Sequence, residues 1–385
     1  MSKKLFLPLW ITGSLLLFLY SFTQVDLSLT LSKASIFQTI EKSFQYVGWF
    51  NRPLSSYLYI AVFAVLFFLY IWTIKLVTQK KLTRKKVWLG IFIVTGILTL
   101  SYNAFSYDLF NYIFDAKIVT HYHQNPYLFK ALDFPGDPML SFMRWTHRVY
   151  PYGPFWLFLT VPLSFVGNNI FILTFYLFKI MIASFFLLTA WSIEKIGKVL
   201  KFENILLPVV AFAFNPFILS ESLVSAHNDI VMMGMALYAT SLFIDKQNVK
   251  GSVMYFLSAA LKFATGFSFI GVLVLLAIRK TKYIIEVSLM LMIIAVVAAS
   301  LRTNFQPWYL LYVMPFLALR VEKSFLRYPL YLFSIACVIY YVPFLYYGNW
   351  DNPIPMILNS IIVGATLFSI GLGLVFFRHS KKETN

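Results

Sequence analysis

Cysteine and charged residues are scarce in this sequence. Of its 385 residues one is cysteine, Cys337, so the chain cannot form an intramolecular disulfide. Its cysteine content therefore does not distinguish an oxidising from a reducing compartment. Only 12% of the residues are charged, whereas 60% are hydrophobic and 19% are aromatic. A water-soluble domain cannot bury so much apolar surface, so the composition excludes an ordinary soluble protein.

Long polar segments are also rare, and apolar runs recur between positions 5 and 377. A helix needs about 17 to 25 apolar residues to cross a bilayer, and the spacing of the runs predicts about twelve crossings. We therefore predict an all-α polytopic membrane protein that forms one domain over residues 1–385. The run 155–166 is short, and we expect it to re-enter the membrane or lie at its interface. The pair 252–263 and 265–278 is also short and predicts a bent hairpin.

The net charge of +17 arises from 32 lysines and arginines against 15 acidic residues. The basic residues occur in short clusters between apolar runs, which argues against a nucleic-acid partner. The positive-inside rule places most of these clusters, and both chain termini, in the cytoplasm. We therefore expect a multi-pass protein of the cell membrane, in contact with membrane lipids, whose polar outer loops form the active face.

Two polar stretches interrupt the apolar runs on the predicted outer side. In the first, residues 23–53, the apolar residues Ile36, Ile40 and Phe44 recur at helical spacing and predict an amphipathic helix on the membrane surface. The second, residues 104–153, is a loop of roughly 50 residues, a length that is usually functional. We place the catalytic site in this loop and expect it to carry short interfacial helices.

The second stretch begins with candidate sugar-binding residues. If residues 108–115 are helical, Asp108, Asn111, Tyr112 and Asp115 lie on one face. Sugars require hydrogen-bond acceptors and an aromatic platform, which two carboxylates, an amide and a phenol supply. An ordinary solvated helix face is the alternative interpretation.

The same loop continues with two turn-forming strings, Asn125-Pro126-Tyr127 and Tyr150-Pro151-Tyr152-Gly153-Pro154. Both place tyrosines near the lipid headgroups, so a structural aromatic belt is the alternative to substrate binding. His121 and His123 lack the spacing of a zinc site, and we predict no metal site here.

A second polar cluster consists of Glu221 and the string Ser225-Ala226-His227-Asn228-Asp229. Helix capping explains Asn228 and Asp229 but does not require His227. Lys262 lies in a short apolar stretch, where translocon scales assign about 2.5 to 3.5 kcal/mol to a mid-membrane lysine. It should therefore face a partner, a cavity or the membrane interface, and snorkelling is the alternative.

A third outer cluster contains Arg302 and the string Gln306-Pro307-Trp308-Tyr309. Pro307 suits the first position of a helix, whose free N–H groups could bind an anionic phosphate. Plain helix initiation is the alternative explanation.

In their order along the chain, these strings resemble a known family: the membrane-embedded glycosyltransferases of the C superfamily, especially their bacterial mannosyltransferase-like branch. The resemblance spans most of the chain and is carried by Ser106-Tyr107-Asp108, Tyr112, Asp115, Asn125-Pro126-Tyr127, Tyr152-Gly153-Pro154, Asn215-Pro216, His227-Asn228-Asp229, Leu261-Lys262 and Gln306-Pro307-Trp308-Tyr309. It implies an enzyme that moves a hexose, with mannose as the family-weighted expectation, from a polyprenyl-phosphate donor to an extracytoplasmic glycan or lipid-linked acceptor. In that family an acidic residue early in the large outer loop is the proposed catalytic base, and Asp108 matches its position.

The polar clusters and the resemblance together suggest which other side chains contact the substrates. We expect substrate-binding contacts from Tyr107, Asn111, Tyr112, Asp115, Asn125, Tyr127, Tyr152, His227, Asn228, Asp229, Lys262, Arg302, Gln306 and Trp308.

The donor's chemistry determines what the residues must do. A polyprenyl-phosphate leaving group is already anionic, so it requires charge stabilisation, by Lys262, Arg302, Arg144 or a helix N-terminus, rather than a general acid. Asp108 would take the proton of the acceptor hydroxyl as the oxygen attacks the anomeric carbon and inverts its configuration. Asp115 or Asp229 could serve as the base instead. No cofactor is required, although Mg²⁺ or Mn²⁺ could bridge the phosphate and these carboxylates.

A transporter or flippase of a lipid-linked or polar solute is the alternative function. Transporters also combine many helices with intramembrane charges such as Lys179 and Lys262. The absence of a visible internal repeat and the concentration of polar groups on one membrane face argue against it. A third possibility is a catalytically inactive relative that serves as an assembly subunit.

Overall fold

The computed structural model describes residues 3–382, and side chains as far as Phe376. These residues form helices and the loops between them, without any strand, which confirms the all-α prediction. The helices are α1 (Phe6–Ser21), α2 (Ser35–Gln45), α3 (Arg52–Thr78), α4 (Arg84–Thr99), α5 (Asp108–Thr120), α6 (Pro154–Gly167), α7 (Phe171–Val199), α8 (Leu206–Ala213), α9 (Pro216–Leu219), α10 (Asp229–Ile244), α11 (Asn248–Leu261), α12 (Ala264–Ala277), α13 (Ile284–Thr303), α14 (Met314–Leu319), α15 (Ser324–Ile339), α16 (Val342–Tyr347) and α17 (Ile354–Lys382). Residues 1–2 and 383–385, for which the sequence predicts a cytoplasmic position, lie outside this range.

Several of these helices are suited to a membrane. Among the described residues, 6 helical segments are long and apolar enough to cross it: Lys3–Gln24, Arg52–Thr78, Phe171–Val199, Thr281–Thr303, Ser324–Tyr347 and Ile354–Phe376. The pair Leu206–Ala213 and Pro216–Val224, bent by 54°, would be a seventh span. The expected count of about twelve is not confirmed, because other apolar runs form helices too short to qualify, such as α6, α10 and α12.

The predicted outer stretches do contain short helices. Helix α2 forms where the amphipathic helix was expected, with Ile36 exposed at 74% and Ile40 at 51%. The stretch 104–153 holds α5, which confirms that residues 108–115 are helical. It also holds two 3-10 helices, Ala131–Asp133 and Pro138–Ser141.

The most deeply buried segment is polar in its middle. Every residue from 207 to 237 is buried, and α10 packs between α7 and α11. Asn215 begins α9: its Oδ1 accepts the N–H of Phe217 at 3.0 Å, and its Nδ2 donates to Ser334 at 2.7 Å. This cap stabilises the bend after α8, and the buried chain then leads through a π-helix, Ser220–Val224, to the turn at 225–228.

Candidate active site

Asp108 is the first residue of α5 and is held there by the preceding loop. Its backbone N–H donates to the Ser106 hydroxyl at 3.1 Å, and the Asn103 side chain donates to the Ser106 carbonyl at 2.8 Å. A carboxylate in the first turn of a helix is favoured by the helix dipole. The Asp108 side chain remains 15% exposed, so it can be reached from the surface.

His227 lies beside Asp108 in the buried turn. Its Nδ1 is 3.4 Å from Asp108 Oδ2, and its Nε2 is 3.2 Å from Glu221 Oε2. Neither contact has the alignment of a good hydrogen bond, but both place a carboxylate against the imidazole. The ring stacks on Trp308, with centroids 4.3 Å apart and planes inclined by 19°. The turn thus joins the second and third polar clusters of the sequence to Asp108.

Lys262 occupies the break between α11 and α12, where its backbone is extended. Its Nζ is 2.6 Å from Asp229 Oδ1, at the start of α10. It also lies over the rings of Tyr152, Tyr309 and Tyr312, at 5.8, 5.9 and 5.7 Å from their centroids. The lysine is therefore paired and surrounded by aromatic rings rather than extended to the interface, which disfavours simple snorkelling.

Gly153 brings the outer loop against this break. Its N–H donates to the Leu261 carbonyl at 3.0 Å, which satisfies an acceptor left free where α11 ends. A Cβ at this position would lie 2.0 Å from the Ala260 carbonyl oxygen, so only glycine allows the approach. The Tyr-Gly-Pro string thereby places Tyr152 next to Lys262.

The Asn125-Pro126-Tyr127 string forms hydrogen bonds with the part of the loop that carries Tyr152. Asn125 Oδ1 accepts the N–H of Tyr127 at 3.0 Å, and the Tyr127 hydroxyl donates to the Tyr152 carbonyl at 3.1 Å. Tyr150 donates its hydroxyl to the Gly153 carbonyl at 3.0 Å. Asn125 and Tyr127 thus position the backbone of Tyr152, and their hydrogen bonds stabilise the loop.

Buried polar atoms without partners are concentrated around His227. Between residues 220 and 229, besides the two imidazole nitrogens, the following buried atoms have no hydrogen-bond partner: Ser220 Oγ, Glu221 Oε1, Ser222 Oγ, Ser225 Oγ, Asn228 Oδ1 and Nδ2, and Asp229 Oδ2. Buried polar groups are normally paired, and each exception needs an explanation. Hydroxyl, amide and carboxylate groups in this number are the groups that bind sugar hydroxyls.

Other residues singled out in the sequence take different positions. Asp115 lies two helical turns beyond Asp108; burial raises its pKa to about 8, although the side chain keeps partial contact with solvent. Asn111 donates to the Arg144 carbonyl at 2.7 Å and so anchors the outer loop. Tyr107 donates to Asp26 at 2.9 Å, away from the imidazole.

Tyr112, Arg302 and Gln306 are the remaining residues that the sequence analysis expected to bind substrate. Tyr112, 1% exposed, meets Tyr152 edge to face, with centroids 5.4 Å apart. Arg302 is exposed at the end of α13 and is not brought into the cluster. Gln306 precedes the 3-10 helix Pro307–Tyr312, which carries Trp308.

Sequence reasoning did not assign three residues of this cluster. Glu221 is fully buried and contacts His227; the sequence shows it only as an acidic residue of the second polar cluster, without a role. Tyr312 follows Tyr309 by three residues, the period of the 3-10 helix that brings both over the lysine. Tyr341 donates to Glu221 Oε2 at 3.2 Å, and nothing in its aromatic surroundings distinguished it.

The cluster does not form a metal site by itself. Within residues 3–376, no group of three or more His, Cys, Asp or Glu side chains has the arrangement to hold a metal ion.

Comparison with known proteins gives one match. A family model described as alpha-(1->6)-mannopyranosyltransferase, N-terminal domain, matches residues 10–279. No curated protein and no solved structure matches the chain. The matched region contains Asp108, His227 and Lys262, while Trp308 and Tyr309 lie beyond it. Because the match covers more than half of the sequence, the chain belongs to the alpha-(1->6)-mannopyranosyltransferase family and is a multi-pass, membrane-type glycosyltransferase.

Proposed function

We propose that this protein transfers mannose from a polyprenyl-phosphate donor to a hydroxyl of an extracytoplasmic glycan or lipid-linked acceptor, with inversion at the anomeric carbon and Asp108 as the base. The observation that carries the proposal is the exposure of Asp108 beside a buried charged cluster. Asp229 and Glu221 are fully buried, and Asp229 is paired with Lys262, whereas Asp108 remains 15% exposed. An acceptor hydroxyl can therefore reach Asp108 first.

Asp108 is also suited to the role by its surroundings. The positive end of the α5 helix dipole and the imidazole of His227 both lie beside its carboxylate. Asp115 is a weaker candidate, because a carboxyl with a pKa near 8 is mostly protonated at neutral pH.

Lys262 is the group that we assign to the leaving phosphate. Its charge is fixed by Asp229 and by three tyrosine rings, so it need not reorganise as negative charge develops on the departing oxygen. Its side chain is 21% exposed, which leaves it accessible to a lipid-linked phosphate. We propose that Arg302, which is exposed, contacts the donor outside this cluster.

The membrane architecture favours a lipid-linked donor. A donor anchored in the same bilayer reaches a site built between membrane helices, and the distribution of basic residues supports a site that faces the outside of the cell. We propose the membrane topology expected from the sequence, with about twelve crossings and both termini in the cytoplasm. In this topology, pairs of short helices together form the additional crossings. We further propose that catalysis requires no metal ion, with a bridging Mg²⁺ or Mn²⁺ as the alternative.

Lys179 is one of the two intramembrane charges that favoured the transporter alternative, and its contacts explain it in another way. Lys179 is buried, but its Nζ donates to the Ser101 carbonyl at 2.5 Å and the Ser101 hydroxyl at 3.0 Å. It also lies 3.4 Å from the carbonyl oxygens of Leu98 and Val224. This lysine ties helix ends together, a structural role that explains its charge without a transport path.

The donor can be identified with sealed membrane vesicles. Vesicles with and without the protein are given radiolabelled polyprenyl-phosphate mannose, polyprenyl-phosphate glucose or a nucleotide-diphosphate mannose, with a membrane extract as acceptor. We expect protein-dependent transfer from polyprenyl-phosphate mannose. Transfer only from the nucleotide donor, or only of glucose, would contradict the proposal.

A further inference from the structure

Glu221 is a buried carboxylate that does not reach the reacting groups. It lies in the π-helix Ser220–Val224 and is fully buried. Its Oε2 lies 3.2 Å from His227 Nε2 and accepts the Tyr341 hydroxyl at 3.2 Å. A buried carboxylate is costly unless a positive charge compensates it, and the imidazole is the cation that its geometry offers.

The charges around the imidazole determine its protonation. Asp108 faces one ring nitrogen and Glu221 faces the other, while Trp308 covers a ring face. Asp229, two residues after His227, is paired with Lys262 at 2.6 Å. A neutral imidazole would leave two carboxylates without a compensating charge, whereas an imidazolium compensates one of them.

We infer that Glu221 is a positioning residue that holds His227 as an imidazolium against Asp108, and that it thereby sets the pH range in which Asp108 accepts a proton. The inference rests on the proposed function, because it assumes that Asp108 is the base. In the transfer step the acceptor proton goes to Asp108, the acceptor oxygen bonds to the anomeric carbon, and the bond from that carbon to the phosphate oxygen breaks. His227 keeps its proton throughout and orients the Asp108 carboxylate.

The direction of the pH dependence follows from the neighbours of His227. Burial alone would lower the pKa of His227, but the Asp108 and Glu221 carboxylates outweigh it and raise the pKa to about 9. The active form is therefore present below pH 9 and is lost as the pH rises through that value. Removing the charge of Glu221 leaves burial opposed by Asp108 alone, so the loss should move to lower pH.

The test is the pH profile of kcat/KM for mannosyl transfer by purified wild-type protein, Glu221→Gln and Glu322→Gln. Glu322 is an exposed glutamate in the turn between α14 and α15 and serves as the matched control. We expect the alkaline limb of Glu221→Gln to shift down by about one pH unit or more, as loss of a neighbouring charge predicts. The Glu322→Gln profile should match wild type. An unshifted Glu221→Gln profile, with or without a lower melting temperature, would overturn the inference.

A double-mutant cycle separates this role from a purely structural one. In a His227→Gln background, adding Glu221→Gln should produce no further shift, because the titrating group is gone. A shift that persists in that background would overturn the inference. If Glu221→Gln fails to fold, NMR of histidine-labelled wild-type protein, assigned with His227→Gln, gives the protonation state directly. A neutral His227 at pH 7 would contradict the inference.

The same series includes Asp108→Asn. If that variant transfers mannose as wild type does, the proposed base is wrong. If it is inactive while the Glu221→Gln profile is unshifted, only the role of Glu221 is wrong.

Discussion

Two buried glutamates show how differently this fold uses a carboxylate. Glu194, near the end of α7, accepts from Arg84 at 2.6 Å and from Trp88 at 2.5 Å, and also pairs with Lys198 at 2.5 Å. Both of its oxygens are therefore used. Glu221 has one oxygen between His227 and a tyrosine and another without a partner, among several unpartnered polar neighbours. A saturated cluster stabilises helix packing, whereas an unsaturated one has groups left to bind a substrate.

Two lysines within apolar stretches, Lys179 and Lys262, repeat the contrast. Lys179 is 2% exposed and donates to backbone carbonyls at helix ends. Lys262 is paired with Asp229 and lies among tyrosine rings next to the outer loop. Both lysines lie in apolar stretches, and their burial and their partners separate the structural lysine from the candidate catalytic one.

The lysine comparison predicts a large effect on activity. Lys262→Gln removes the charge assigned to the leaving phosphate and should lower kcat/KM by about 100- to 1,000-fold. Lys179→Gln should instead lower the melting temperature and leave kcat/KM of the folded protein close to wild type. Steady-state kinetics with thermal unfolding of both variants makes the measurement. Equal kinetic losses in the two would remove the distinction.

The contact between Gly153 and the end of α11 predicts an intermediate effect on activity and stability. A Cβ in Gly153→Ala must displace the end of α11, which moves Tyr152 away from Lys262 and costs about 1 to 3 kcal/mol by overpacking. Both transfer rate and melting temperature should fall. Gly96→Ala is the matched control, because a Cβ at Gly96 has no heavy atom within 4 Å. A Gly153→Ala protein as active and stable as Gly96→Ala would show that the close approach is unimportant.

The glutamate comparison predicts an effect on stability without one on rate. Glu194→Gln weakens charge-assisted hydrogen bonds to partners that are half exposed, and should cost about 1 to 3 kcal/mol of unfolding free energy. The rate of mannosyl transfer should not change. Chemical denaturation and transfer assays on the same preparation measure both quantities. A rate loss in Glu194→Gln comparable to that of Lys262→Gln would contradict the assignment.

Metal removal should have the smallest effect of all. The proposed step relies on Lys262 for charge stabilisation, so excess EDTA should leave the transfer rate unchanged. The assay repeats the transfer measurement with EDTA and with added Mg²⁺ or Mn²⁺. Activity that disappears with EDTA and returns with either ion would favour the bridging-metal alternative.

The sequence predicted local features better than their assembly. Helix α5 and the amphipathic helix α2 follow from periodicity, which local sequence carries directly. The number of spans does not follow, because hydropathy cannot distinguish a straight helix from one broken by a cap such as Asn215. The run after Pro307 likewise divides into a 3-10 helix and α14 rather than one crossing.

The candidate site was predictable in its residue types and not in its contacts. Asp108, His227 and Lys262 stood out because polar groups are rare in this chain. Their grouping depends on long-range packing: Gly153 against the end of α11, and Trp308 against the imidazole. Glu221 was seen as one acidic residue of a polar string, and only its position beside His227 and Tyr341 indicates a role.

The central claim is that Asp108 is the base for mannosyl transfer, and its most direct test is kcat of purified Asp108→Asn beside Asp133→Asn with polyprenyl-phosphate mannose. Asp133 lies in the same loop, is exposed, and accepts the Lys130 N–H at 2.9 Å, so it controls for loss of an outer carboxylate. The account predicts that Asp108→Asn lowers kcat by about 100- to 10,000-fold, as loss of a general base does, while Asp133→Asn keeps the wild-type rate. A folded Asp108→Asn protein that transfers mannose at the wild-type rate would contradict it.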